Sequence, residues 1–224
     1  RAAVNQIVKK KRFNNPFTEL PKEVAVLSSV SFFVAVGFGL IIPVVPVFAA
    51  SFGVSKTAIG FIISVFAIVR FSTGLIAGKF VDKFGERKVL GFGLFMVSFF
   101  TLLTGLAQSY EQLLAFRSLG GLGSSMFSVS AGSLLMRSVS DEFRARAQSL
   151  FNGGFLLGGI TGPAFGGILS AISLRAPFFV YSSTLAGAGI IALVFLSEKR
   201  LGRKVDLPSS KVGLTTLSQA FKLR

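Results

Sequence analysis

Long uncharged stretches and short polar breaks alternate along the chain. Val24–Ser55 carries no charge, Thr57–Gly78 carries only Arg70, and Val89–Tyr110 carries none. Gln112–Met136 carries only Arg117, while Ala147–Leu174 and Ala176–Ser197 carry none. A helix needs about 20 apolar residues to cross hydrocarbon, and each stretch is long enough. None shows a polar helical face of the width a water-exposed helix requires. The pattern predicts an all-α membrane protein with six transmembrane helices. The spans fall at about 24–50, 57–79, 89–109, 112–137, 146–172 and 176–197, forming a bundle over about 23–198. A basic segment, 1–22, precedes the bundle and a basic tail, 199–224, follows it. The first span is too long for a cleavable signal, and no small-residue cleavage site leads into a polar domain.

Small residues and prolines mark where spans bend and pack. Span one carries Pro43 and Pro46 after Gly37 and Gly39, so its outer half should be bent or irregular. In span five Gly154, Gly158, Gly162 and Gly166 recur every fourth residue, which keeps them on one face. Such a stripe lets a neighbouring backbone come close. Two readings are open: packing inside this bundle, or contact with helices outside this chain. Pro163 removes a backbone donor mid-span and should kink the helix. Span two has a shorter version of the stripe, Gly74 and Gly78.

Composition agrees with a membrane protein. Of 224 residues, 51% are hydrophobic and 15% charged, and mean hydropathy is +0.71. The net charge of +15 would suggest nucleic acid in a soluble protein. Its distribution says otherwise. Twenty Lys and Arg lie in 1–22, in the breaks after spans two and four, and from Lys199 onward, against Lys56 and Arg175 on the other side. That asymmetry places both termini in the cytoplasm and the basic residues beside anionic lipid headgroups. No nucleic-acid partner is expected. The first dozen residues read equally as a short interfacial helix or a disordered basic tail.

The chain has no Cys and no His, which removes thiol chemistry and the commonest metal ligand and general base. No enzyme, metal site or cofactor is expected. A cation inside a span costs about 2.5–3.5 kcal/mol on insertion scales, so Arg70 and Arg117 should face inward and have a role. Both are candidates for a substrate or proton path. The alternative is a structural Arg paired with carbonyls or snorkelling to the interface. Every Asp and Glu falls at a span end or in a break, so these spans hold no intramembrane proton carrier.

Several linked motifs give the chain a family resemblance. The break after span two reads Gly78-Lys-Phe-Val-Asp82-Lys83-Phe-Gly85-Glu86-Arg87-Lys88. Span four opens with Arg117 before Gly120 and Gly121, and span five carries Gly158, Gly162, Pro163, Gly166 and Gly167. Span one reads Gly39-Leu-Ile-Ile-Pro43-Val-Val-Pro46. In this order the motifs resemble the N-terminal half of a major facilitator superfamily transporter, in its drug and sugar efflux branch. Two positions depart: Glu86 stands where the loop signature usually has a basic residue, and Ser149 where the antiporter motif begins with Gly.

The resemblance implies three-plus-three inverted repeats, of which only the breaks around Asp82 and Asp141 look alike in sequence. It implies a cytoplasmic latch built on Gly78, Asp82, Lys83, Gly85, Arg87 and Lys88. Asp82 could pair with Arg87 or with another helix's N-terminus, and Gly85 permits the tight turn. The Gly-Pro stripe of span five would line the contact with a second half. Spans one and four would face a central cavity, with Ser124, Ser125, Met126 and Ser128 as lining candidates; plain small-residue packing is the other reading. The expected function is export of a hydrophobic or cationic small molecule, such as a drug, or of a sugar, across the bacterial inner membrane in exchange for protons. A C-terminal six-helix half, on the same or a separate chain, would complete the site. The alternative is a non-transporting half that packs against a larger membrane complex.

Overall fold

The computed structural model describes residues 20–196, so residues 1–19 of the basic N-terminal segment and the whole basic tail lie outside the described residues. Within them the chain forms eight α-helices and one short 3-10 turn, Asp141–Phe143. The helices are α1 (Lys22–Ile41), α2 (Val44–Ala50), α3 (Lys56–Ser72) and α4 (Gly74–Phe84), then α5 (Glu86–Leu106), α6 (Tyr110–Arg137), α7 (Arg144–Ile172) and α8 (Ala176–Phe195). Five spans are long and apolar enough to cross a membrane, and a sixth is made by α3 and α4 together, bent by 46°.

Span one is α1 plus α2. Its outer half breaks as expected, at Ile42–Pro43, with Pro46 in the first turn of α2, where a missing donor costs nothing. Span two breaks where no break was expected. Thr73 Oγ1 donates to the carbonyl of Val69 at 2.6 Å, a back-bond that bends helices, and Gly74 adds no side chain to stiffen the joint. Span five, where Pro163 was expected to kink the helix, shows no break. The helix α7 runs unbroken through Pro163.

The packing follows a two-fold plan. Span one packs on spans five and six; span four packs on spans two and three; spans three and six pack on each other. Exchanging one with four, two with five and three with six maps this pattern onto itself, as inverted repeats require. At the centre the hydroxyls of Ser98 and Ser182 each donate to the other's carbonyl, at 2.7 and 2.9 Å, tying α5 to α8. Such bonds are among the few directional forces between helices in lipid. The buried core is aliphatic and aromatic: Leu27, Ile62, Leu90, Leu94, Leu113, Leu134, Phe178 and Leu185.

The glycine stripe of span five packs inside this bundle. An ideal Cβ on Gly154 would lie 2.8 Å from the Ser28 carbonyl oxygen, and one on Gly158 2.5 Å from that of Phe32. On Gly162 it would meet Val36 O and Gly39 Cα, the latter at 2.6 Å; on Gly166 it would run into Leu40 O. Two backbones therefore touch along α1 and α7, closer than any side chain allows. The face of these four glycines is therefore taken by α1, which favours the reading of packing inside this bundle. The outer face of α7 is instead an apolar surface of Leu156, Leu157, Ile160, Phe165, Ile168 and Ile172, each more than half exposed. Gly167 lies off the stripe with nothing near it. In span two, Gly74 and Gly78 likewise face open space, so the expected shorter stripe contacts no neighbouring helix.

Candidate functional site

The bend between α3 and α4 opens a cavity of about 910 Å³ against α6. Arg70, Phe66, Ala67 and Phe71 come from α3, Leu75 from α4, Phe38 from α1, and Ser125, Ser128 and Val129 from α6. Phe71 and Leu75 stand at its open side, 89% and 85% exposed. The lining is overwhelmingly apolar, with one cation and a few hydroxyls.

Arg70 is set by a hydroxyl relay. Its Nη2 donates to Ser128 Oγ at 2.8 Å, and Ser128 Oγ donates to the carbonyl of Ser124 at 2.9 Å. A second, small pocket behind Arg70 is lined by Ser124, Ser128, Phe155 and the buried Tyr181. Sequence reasoning had not flagged Tyr181. It sits on span six, far along the chain, where an approach to Gly37 makes room for its ring.

Arg117 lies elsewhere. It is 8% exposed, its guanidinium carbon is 4.8 Å from the Phe66 ring centroid, and its Nε has no hydrogen-bond partner. It borders a nearly solid pocket of about 10 Å³ with Thr101, Thr104 and Phe178. Phe66 thus separates the two arginines: Arg117 stacks on it and the cavity begins beyond it. Among the described residues neither arginine has a carboxylate partner. Of the four α6 candidates, Ser125 and Ser128 line the large cavity and Ser124 the small pocket. Met126 faces a separate apolar pocket of about 220 Å³ with Ile76, Phe80 and Met96, away from Arg70.

The motif at the end of span two is mostly helix. Gly78, Asp82 and Lys83 lie on α4, and the connection to α5 is the single residue Gly85, at φ 86°, where only glycine is unstrained. Asp82, Lys83 and Lys88 are exposed. Asp82 does not pair with Arg87; Arg87 Nη2 donates to the Leu193 carbonyl at the end of α8. The residue that departs from the signature, Glu86, is buried. Its Oε1 lies 2.8 Å from Arg137 Nη1 at the end of α6 and accepts from Ser133 Oγ at 3.2 Å. The only warning in the sequence was the acid itself, since Arg137 lies 51 residues away.

A six-span bundle with repeat-related packing and a half-open cavity defines a multi-pass membrane protein built like one half of a secondary transporter. The Major Facilitator Superfamily profile matches residues 27–224, and the chain belongs to that family. Similar proteins include Multidrug resistance protein 1 of Bacillus subtilis (strain 168), 29% identical over 183 residues, covering 81% of this chain and 47% of that protein. Multidrug resistance protein 2 of the same strain is 30% identical over 176 residues, 79% of this chain and 44% of that protein. Quinolone resistance protein NorA of Staphylococcus aureus is 27% identical over 183 residues, covering 80% and 46%. The chain spans about half the length of these relatives. The fold matches a bacterial homolog of the human lysosomal transporter Spinster in its inward-facing form, with TM-score 0.75, 20% identity, and coverage of 91% of this chain and 49% of that one. These relatives and this fold are those of transporters, not enzymes.

Proposed function

We propose that this chain is the N-terminal half of a transporter that exports a small, apolar-bodied molecule across a bacterial plasma membrane in exchange for protons. The observation that carries the reading is the cavity of about 910 Å³ between α3, α4 and α6. It is of ligand size, lies where two repeats meet, and is walled on one side only, as half of a shared site would be. The names of the relatives, multidrug and quinolone resistance proteins, favour drug-like cargo over sugars. Both termini lie in the cytoplasm in this reading, because the basic breaks after spans two and four fall on one side. Arg70, Ser125 and Ser128 contact cargo, with Ser124 behind them. Arg117 is a buried positioning residue next to the path, and Met126 packs α4 on α6.

The exposed face of Asp82, Lys83 and Lys88 docks on the second half, while Gly85 and Arg87 hold that face in place. No Asp, Glu or His lies in the middle of a described span, so the second half supplies the proton carrier. The test uses the full-length protein in inside-out vesicles with an imposed pH gradient and a panel of drugs and sugars. Gradient-dependent accumulation of at least one drug, abolished by a protonophore, is expected. No gradient-dependent uptake of any compound would remove the reading. Asp82→Asn should lower the accumulation rate several-fold at unchanged membrane level, and an unchanged rate would count against docking.

A further inference from the structure

We infer that the cavity selects cargo with one anionic group on an apolar body, and that Arg70 is the residue that binds the anion. The inference rests on the transport reading and narrows it. Most of the cavity wall is aromatic or aliphatic, with Phe38, Phe66, Phe71 and Leu75 around a single fixed charge. A guanidinium carries five donors, and the structure records one hydrogen bond from Arg70, to Ser128. Ser128 Oγ in turn donates to Ser124 O, so its lone pairs are aimed at the arginine and the guanidinium is held in one orientation. The remaining donors have no carboxylate to meet among the described residues: the ion pairs there are Glu86 with Arg137 and Asp141 with Arg144, both near the ends of spans.

An arginine in a membrane span without a counter-charge is costly. A carboxylate or sulfonate on the cargo relieves that cost with a charge-assisted, bidentate contact. The second cation points the same way. Arg117 lies behind Phe66 and adds positive potential to the inner wall of the cavity. A cationic cargo would face two arginines and no acid on this side. Phe38 and Phe66 pack on each other, 5.9 Å between ring centroids, and give the cavity's inner wall an aromatic surface on which an apolar body can lie.

The experiment compares 1-pyrenebutyrate with pyrenebutyltrimethylammonium, an anion and a cation on one ring system, on the full-length protein in nanodiscs of phosphatidylcholine. Binding is read by fluorescence, and accumulation of the same probes and of ethidium is read in inside-out vesicles. Pyrenebutyrate is expected to bind at least 10-fold more tightly than the cation. Arg70→Met should remove that preference and Arg70→Lys should retain most of it. A wild-type unfolding midpoint and a monodisperse elution profile of Arg70→Met in detergent check that the variant is folded. Replacing a third of the lipid with phosphatidylglycerol separates the two sources of such an anion: a loss of pyrenebutyrate binding larger in the wild type than in Arg70→Met assigns the Arg70 contact to a headgroup and overturns the cargo assignment, whereas an equal change in both, the general effect of the surface potential, leaves it with diffusible cargo. Equal or tighter binding of the cation, or an equal loss of both probes in Arg70→Met, overturns the inference. Ethidium transport persisting in those cases would leave the transport reading standing, whereas no transport of any probe by the wild type would sink that reading too.

Discussion

Spans two and five occupy equivalent places in the two repeats, yet one is broken and the other is not. Span five contains a proline and stays a single 29-residue helix. Span two contains no proline and bends by 46° at Thr73. The difference lies in what each helix touches. Along α7 every fourth residue is a glycine pressed on the backbone of α1, so the neighbour holds the helix on both sides of Pro163. Pro163 itself is part of the contact: an ideal Cβ on Gly39 would lie 2.9 Å from its Cδ. Along α3 and α4 the glycines meet nothing, few side chains are buried, and a hydroxyl competes for a backbone carbonyl at the joint. A helix breaker matters less than the support around it, and the unsupported span is the one that borders the cavity.

The largest test of that contrast is Gly162→Leu. Its Cβ alone would sit 2.6 Å from Gly39 Cα, and both contacts are backbone, which cannot swing aside. Overpacking a tight core typically costs about 1–3 kcal/mol, and a branched side chain driven between two backbones belongs at or above the top of that range. Thermal unfolding in detergent should show a loss of monodisperse protein or a midpoint far below wild type. A wild-type midpoint would mean that α1 and α7 do not touch as described.

A middle-sized effect is expected where the start of span three meets the end of span four, a tie between the two repeats. Glu86 is 7% exposed, and its partner Arg137 is about a third exposed. Glu86→Gln removes a charge-assisted bond but leaves Arg137 able to reach water, so about 1–2 kcal/mol should be lost. A double-mutant cycle with Arg137→Gln should return a coupling of about 1 kcal/mol or less, given the partial exposure. No coupling would make the pair incidental. The exchange Glu86→Arg with Arg137→Glu should recover part of the loss.

How much of this was legible in the sequence depends on the range of the contact. Span number, the break at Pro43 and the turn at Gly85 are local properties, set by charge-free length, a missing donor and a residue that tolerates positive φ. Periodicity revealed the stripe of Gly158, Gly162 and Gly166, but not its partner, because spacing shows that a face is flat and not what lies on it. Gly74 and Gly78 carry the same spacing with empty space beyond. The bend at Thr73 was missed because a threonine back-bond bends a helix only where packing allows. Arg70 was legible as a cation in a span, while Ser128 as its partner, Tyr181 behind it and Arg137 against Glu86 are contacts across 51 to 111 positions. Single-sequence reasoning has no handle on contacts at that range.

The smallest expected effect sharpens the comparison most cleanly, because it asks for a gain. Gly78→Ala and Gly166→Ala are the same substitution on equivalent spans. At Gly78 no atom lies within 4 Å of the added Cβ, and the residue is mid-helix in α4. Alanine there should stabilise by up to about 1 kcal/mol through helix propensity alone. At Gly166 the added methyl meets the Leu40 backbone, and the same propensity gain is outweighed by the clash. Opposite shifts in unfolding midpoint, slightly up for Gly78→Ala and clearly down for Gly166→Ala, would show that support by the neighbouring backbone separates the two spans. If transport by the full-length Gly78→Ala protein fell while its midpoint rose, the open face of α4 would be occupied in the working protein, as docking on a second half requires. Equal midpoint shifts for the two variants would instead place the origin of the bend in local sequence, at Thr73, and remove packing as its cause.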